Sequence, residues 1–96
     1  MSAVGTVGFQ ARLEKGNRLQ VPKPIRQRFA LARGCVLKVS VRVPEAKTRW
    51  EDFYACLDKS GRVVVPKLVL CQMQLNAEVE VSSFVGLVFD VVLESD

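Results

Sequence analysis

The run Leu57-Asp58-Lys59-Ser60-Gly61-Arg62-Val63-Val64-Val65-Pro66 restates, 44 positions later, the run Leu13-Glu14-Lys15-Gly16-Asn17-Arg18-Leu19-Gln20-Val21-Pro22. Extended without a gap, the match holds nine identities over the 23 positions from Phe9 to Leu31. Phe9, Ala11, Leu13, Lys15, Arg18, Val21, Pro22, Lys23 and Leu31 fall on Phe53, Ala55, Leu57, Lys59, Arg62, Val65, Pro66, Lys67 and Leu75. Glu14/Asp58, Leu19/Val63 and Ile25/Val69 are conservative pairs. The chain is therefore two copies of one unit of about 44 residues.

Each copy reads in the same order. A strand ends near Leu13 or Leu57, and a polar turn follows whose Gly, Asn, Asp and Ser are the residues that turns demand. A short strand, Leu19–Val21 or Val63–Val65, stops at Pro22 or Pro66, because proline cannot donate to a ladder. A short helix comes next. Pro24 suits its first turn, Ile25 and Phe29 share its buried face, and Gly34 is placed to stop it in a left-handed conformation. Leu68 to Leu75 is the second helix. Leu37, Val39, Val41 and Val43 alternate with Lys38, Ser40 and Arg42, which predicts a longer strand with one buried and one basic face. In the second copy Val79 and Val81 alternate with Glu78, Glu80 and Ser82, and the apolar run Leu87–Leu93 predicts one more strand. The expected organisation is one domain over 1–96, with repeats at 9–43 and 53–93 and a linker at 44–52.

Composition bounds the function. The 96 residues are 49% hydrophobic and 25% charged, as in ordinary globular domains. The longest charge-free stretch, Met1 to Ala11, is far shorter than the roughly 20 apolar residues of a spanning helix. No basic segment leads into an apolar core at the N-terminus, so the expected compartment is the cytoplasm. The chain has no histidine, which removes Ser-His, Cys-His and His-ligated zinc chemistry. Cys35, Cys56 and Cys71 are scattered and read as reduced thiols. Charge is uneven: residues 1–48 hold ten Lys/Arg against two Asp/Glu, and residues 49–96 hold four against eight. A basic half on so short a chain fits a polyanion, nucleic acid first.

The order of strand, Gly-Arg turn, apolar strand, Pro and helix resembles the AbrB/MazE/SpoVT family of prokaryotic regulators, twice over. Ile25-Arg26 and the stretch Leu31-Ala32-Arg33-Gly34-Cys35-Val36-Leu37-Lys38-Val39 resemble that family's helix end and third strand. In the family, two copies from two chains interlock into a β-barrel, and the dimer binds DNA. With both copies on one chain, the resemblance implies a mostly β fold with short helices. It implies a swapped-hairpin barrel formed as an intrachain pseudo-dimer. A unit of this size is too small to bury its strand faces alone, which agrees.

Carried over by position, the resemblance implies DNA contacts at Arg12, Arg18 and Arg26 of the first copy. The turn and helix start add Lys15, Asn17 and Lys23. The second copy keeps Lys59 and Arg62 but has Cys56 and Leu70 in place of Arg12 and Arg26. Arginine and lysine neutralise phosphates, and arginine can read guanine in the major groove. Lys38 and Arg42 are either a solvated face or phosphate contacts. Trp50, Phe53 and Tyr54 are core anchors or a stacking platform. Glu78 and Glu80 belong to a solvated strand.

The expected function is a DNA-binding transcriptional regulator acting on duplex DNA mainly through the first repeat, in the nucleoid of the cytoplasm. The alternatives are a toxin-neutralising antitoxin or a sequence-nonspecific chromatin protein. Only Glu94-Ser95-Asp96 follow the last strand, where antitoxins of the family carry a covering tail. No catalysis, cofactor, metal, membrane or small-molecule substrate is expected, and homo-oligomerisation is open.

Overall fold

A computed structural model describes residues 5–73 and 84–95. The strands are β1 (Gly5–Arg12), β2 (Arg18–Gln20), β3 (Val36–Arg42), β4 (Glu51–Cys56), β5 (Arg62–Val64) and β6 (Val88–Ser95). The helices are α1 (Lys23–Arg28) and α2 (Lys67–Gln72). The expected strand around Val79–Val81, with Glu78, Glu80 and Leu75, lies outside the described residues.

The fold is mostly β and antiparallel. One sheet has the order β1-β6-β3-β4, and β2 pairs with β5 in a separate ribbon. Among the described residues the expected barrel is not closed. β2 and β5 are three residues long and run into Pro22 and Pro66, which have no N–H to extend a ladder.

The first strand of each repeat pairs with the last strand of the other: β1 with β6, and β4 with β3. Exchanging the repeats maps the arrangement onto itself. Leu19 faces Val63 at the centre of the ribbon, and Ser40 faces Val92 at the centre of the β3–β6 pair. Hydrogen bonds recur in matched pairs. The Leu13 N–H donates to the Leu87 carbonyl (3.0 Å), and the Leu57 N–H donates to the Cys35 carbonyl (2.9 Å). The Gly86 and Gly34 N–H groups donate to the carbonyls of Leu13 and Leu57, both at 2.8 Å. The Val21 and Val65 N–H groups donate to the carbonyls of Gly61 (2.9 Å) and Asn17 (2.7 Å).

These matches identify β6 as the counterpart of β3. Leu37 and Phe89 hold equivalent places 52 residues apart, whereas Phe9 and Phe53 stand 44 apart. The second repeat therefore has eight more residues between its helix and its last strand.

One core joins sheet and ribbon. Leu37, Val39, Val41, Phe89, Val91 and Leu93 alternate inward from the central strands. Leu19 and Val63, both fully buried, close it from the ribbon. Truncating either central leucine, Leu19 or Leu37, to alanine costs about 2–5 kcal/mol. The segment after β3 folds as a turn pinned by Thr48, whose Oγ1 accepts the Val43 N–H at 2.7 Å.

The first helix ends earlier than expected. α1 stops at Arg28, and Ala30 takes the left-handed conformation (φ 53°). The Leu31 N–H then reaches the Arg26 carbonyl at 2.8 Å and the Ala30 N–H the Gln27 carbonyl at 3.3 Å, the two bonds of a Schellman cap. Gly34 is left-handed too (φ 87°), but it turns the chain into β3, as Gly86 (φ 92°) does into β6. Ile25 and Phe29 are half-buried, whereas α2 buries Val69 and Leu70.

Alanine in a left-handed cap costs roughly 1–2 kcal/mol, and glycine adds about 0.4–1 kcal/mol of unfolded-chain entropy. Ala30→Gly should therefore stabilise the fold by about 0.5–1 kcal/mol, raising Tm by roughly 2–8 °C in a circular-dichroism melt. A variant melting at or below the parent temperature would contradict this cap.

Candidate nucleic-acid interface

The β2–β5 ribbon has two faces. Leu19 and Val63 point into the core, so Arg18, Gln20, Arg62 and Val64 point away from it. Each strand is entered through a tight turn. In the first, Gly16 (φ 86°) and Asn17 (φ 59°) carry the left-handed conformations, and in the second Gly61 (φ 77°) stands at the place of Asn17. Asp58 organises the second turn: its Oδ1 accepts the N–H groups of Ser60 (2.8 Å) and Arg62 (2.9 Å). The Arg62 N–H does most to hold the Asp58 carboxyl below its ordinary pKa.

The expected contact residues take three kinds of place. Lys15, Arg18, Lys23 and Lys59 are exposed around the ribbon, its turns and the start of α1. Arg12 is exposed but projects from the sheet face turned away from the ribbon, where its Nη1 donates to the Gly86 carbonyl at 2.9 Å. Asn17, Arg26 and Arg62 are half-buried and engaged. The Asn17 carbonyl receives Val65, and its backbone conformation is its contribution. The Arg26 Nε donates to the Val21 carbonyl at 3.1 Å. Its guanidinium rests on Gly61, where a Cβ would meet Cζ at 2.5 Å. The Arg62 Nε donates to Glu14 at 3.1 and 3.3 Å, joining the two turns.

These places explain one of the two substitutions that set the repeats apart; nothing in the structure explains the exposed Cys56 at the place of Arg12. Leu70, at the position of Arg26, is fully buried, so it serves the core. Arg26 clamps the opposite turn. Lys67, at the position of Lys23, begins α2 and is exposed. It was missed as a candidate, although the identity of Lys23 and Lys67 was the signal that could have found it. Besides Arg26, three matched pairs of cations stand near the ribbon: Lys15/Lys59, Arg18/Arg62 and Lys23/Lys67.

The outer face of the four-stranded sheet is neutralised internally. Arg42 pairs with Asp90 at 2.9 Å, and Lys38 lies 3.9 Å from Glu94. The Gln10 amide donates to Asp90 at 2.9 Å, and the Arg42 guanidinium stacks 4.7 Å from the Trp50 ring. Gln10 first, then Arg42, hold the Asp90 carboxyl below its ordinary pKa. Phe53 is in the core, whereas Tyr54 is 71% exposed. Cys35, Cys56 and Cys71 are free thiols. Among the described residues no group of His, Cys, Asp and Glu could hold a metal ion, and no helix is long and apolar enough to cross a membrane.

No protein-family model matches the chain, and no curated protein matches it. The chain is similar to the solution structure of PHS018 from Pyrococcus horikoshii, with a TM-score of 0.74 and 18% identity. That likeness covers 92% of this chain and 88% of the other, and it is a likeness of fold.

Two outcomes test this geometry. Gly61→Ala should cost about 1–2 kcal/mol for the left-handed backbone and more for displacing Arg26. In an Arg26→Ala background the second part should vanish from urea-unfolding energies; equal costs in both backgrounds would show that Arg26 does not rest on Gly61. Asp90, with its folded pKa lowered, contributes stability above its unfolded value of about 3.9 and loses it as pH falls through the folded value. Asp90→Asn should therefore be less stable than the parent at pH 7, with the gap narrowing below about pH 4. A gap that stays constant down to pH 2 would remove Asp90 from the acid response.

Proposed function

We propose that the chain is a DNA-binding protein, a transcriptional regulator of the swapped-hairpin kind, in which the two repeats act as an intrachain pseudo-dimer. Its ribbon face lies against duplex DNA in the nucleoid. The observation that carries this reading is the set of exposed cations around the ribbon: Lys15, Arg18, Lys23, Lys59 and Lys67. The exchanged strand pairing supports the pseudo-dimer, since each repeat completes the other's sheet. Both repeats contribute, because the exposed Lys59 and Lys67 match Lys15 and Lys23. Arg12, on the opposite sheet face, stays outside this contact, and Arg26 and Asn17 hold the turns that present the other residues. The chemistry is charge neutralisation and groove contact; no step is catalytic.

Lys15, Arg18, Lys23, Lys59 and Lys67 can neutralise about five phosphates, which gives a slope of log K against log salt of roughly −4 to −5. Fluorescence anisotropy with a labelled random duplex should show affinity falling on the order of a few hundred-fold between about 50 and 200 mM salt. A flat salt response would exclude duplex DNA as the partner.

A further inference from the structure

We propose that Glu14 withholds Arg62 from the anionic partner, so that Arg18 is the arginine the ribbon offers and Glu14 sets the strength of the site. This rests on the polyanion-binding reading above.

Exchanging the repeats relates Glu14 to Asp58 and Arg62 to Arg18, so two cross-repeat ion pairs are available. One forms. Glu14 receives the Arg62 Nε on both carboxylate oxygens, at 3.1 and 3.3 Å, with the two side chains only 36% and 28% exposed. The other does not form. Asp58 is one methylene shorter than Glu14, and its Oδ1 already accepts the backbone N–H groups of Ser60 and Arg62. Arg18 turns its Nε to the Lys15 carbonyl at 3.3 Å, a long bond. Among the described residues no carboxylate lies within ion-pair distance of it.

The two arginines therefore meet an incoming phosphate from different starting points. At Arg62 the phosphate must compete with a carboxylate in place, in a half-buried setting that salt screens weakly. At Arg18 it replaces one weak neutral bond, and the Asp58 carboxylate acts on this arginine only from beyond ion-pair distance. Glu14 is a positioning residue in this scheme: it acts through Arg62 and touches no ligand. Its backbone is bonded to Arg18 in both directions (2.8 and 3.3 Å), so Glu14→Gln keeps the turn while removing the charge.

The test compares Arg18→Ala, Glu14→Gln and Glu14→Gln/Arg62→Ala with the parent full-length chain on a random duplex. Arg18→Ala should weaken binding about five-fold or more, whereas Glu14→Gln/Arg62→Ala, which loses both charges of the pair, should stay within about two-fold of the parent. Glu14→Gln should tighten binding about five-fold and steepen the salt slope by about one. That gain should disappear when Arg62 is absent. A double variant that binds as tightly as Glu14→Gln would mean that Glu14 acts only by through-space repulsion and would overturn the proposal, as would a double variant that loses as much as Arg18→Ala. Arg62→Gln replaces Arg62→Ala if the latter melts below the measurement temperature. Salt elution from immobilised heparin separates this proposal from the functional reading. If the parent ignores DNA yet Glu14→Gln elutes later only when Arg62 is present, DNA falls as the partner and the role of Glu14 stands. If Glu14→Gln elutes with the parent, the role of Glu14 falls whatever DNA does.

Discussion

The antiparallel pairing of β3 with β6 carries the rest of the molecule. Each is the last strand of its repeat, and each has the other repeat's first strand on its far side. Among the described residues neither repeat has a sheet of its own: without β6, β1 has no hydrogen-bonded neighbour, and without β3, β4 has none. The ribbon then covers the inner face through Leu19 and Val63 at its centre. The turns that hold the cations are placed by reciprocal bonds, Val21 to Gly61 and Val65 to Asn17, so each repeat fixes the other's turn.

What the sequence made legible is what local chemistry decides. The two turns, the prolines ending the short strands, and the alternation of Leu37 to Val43 follow from the preferences of single residues and their neighbours. The partner strands were not legible in the same way. The repeat spacing of 44 predicts the first strands and turns, but the second repeat reaches its last strand eight residues later, and sequence identity does not span the shift. Helix termination at Ala30 was hidden because alanine is an unfavourable cap, while Gly34 offered a better one nearby.

The site was legible by residue type and less so by role. Lys15, Arg18, Lys23 and Lys59 are exposed near the ribbon, as cations in turns and helix starts tend to be. Arg26 and Arg62 differ because their partners lie in the other repeat: Gly61 for one and Glu14 for the other. A contact between residues 35 or 48 positions apart leaves no trace in a local pattern. The replacement of Arg26 by Leu70 suggested lost binding. The buried Leu70 side chain ties the change to packing instead.

The charges across the central strand pair select which repeats can lie side by side. Lys38 faces Glu94 and Arg42 faces Asp90. By the equivalence of β3 and β6, a partnership between two first repeats would set Lys38 against Arg42 twice, and one between two second repeats would set Asp90 against Glu94. Like charges directly opposite are destabilising in a sheet. Self-pairing of like repeats, within or between chains, is therefore penalised on both sides of the seam, and the register that sets opposite charges face to face is the one between a first repeat and a second.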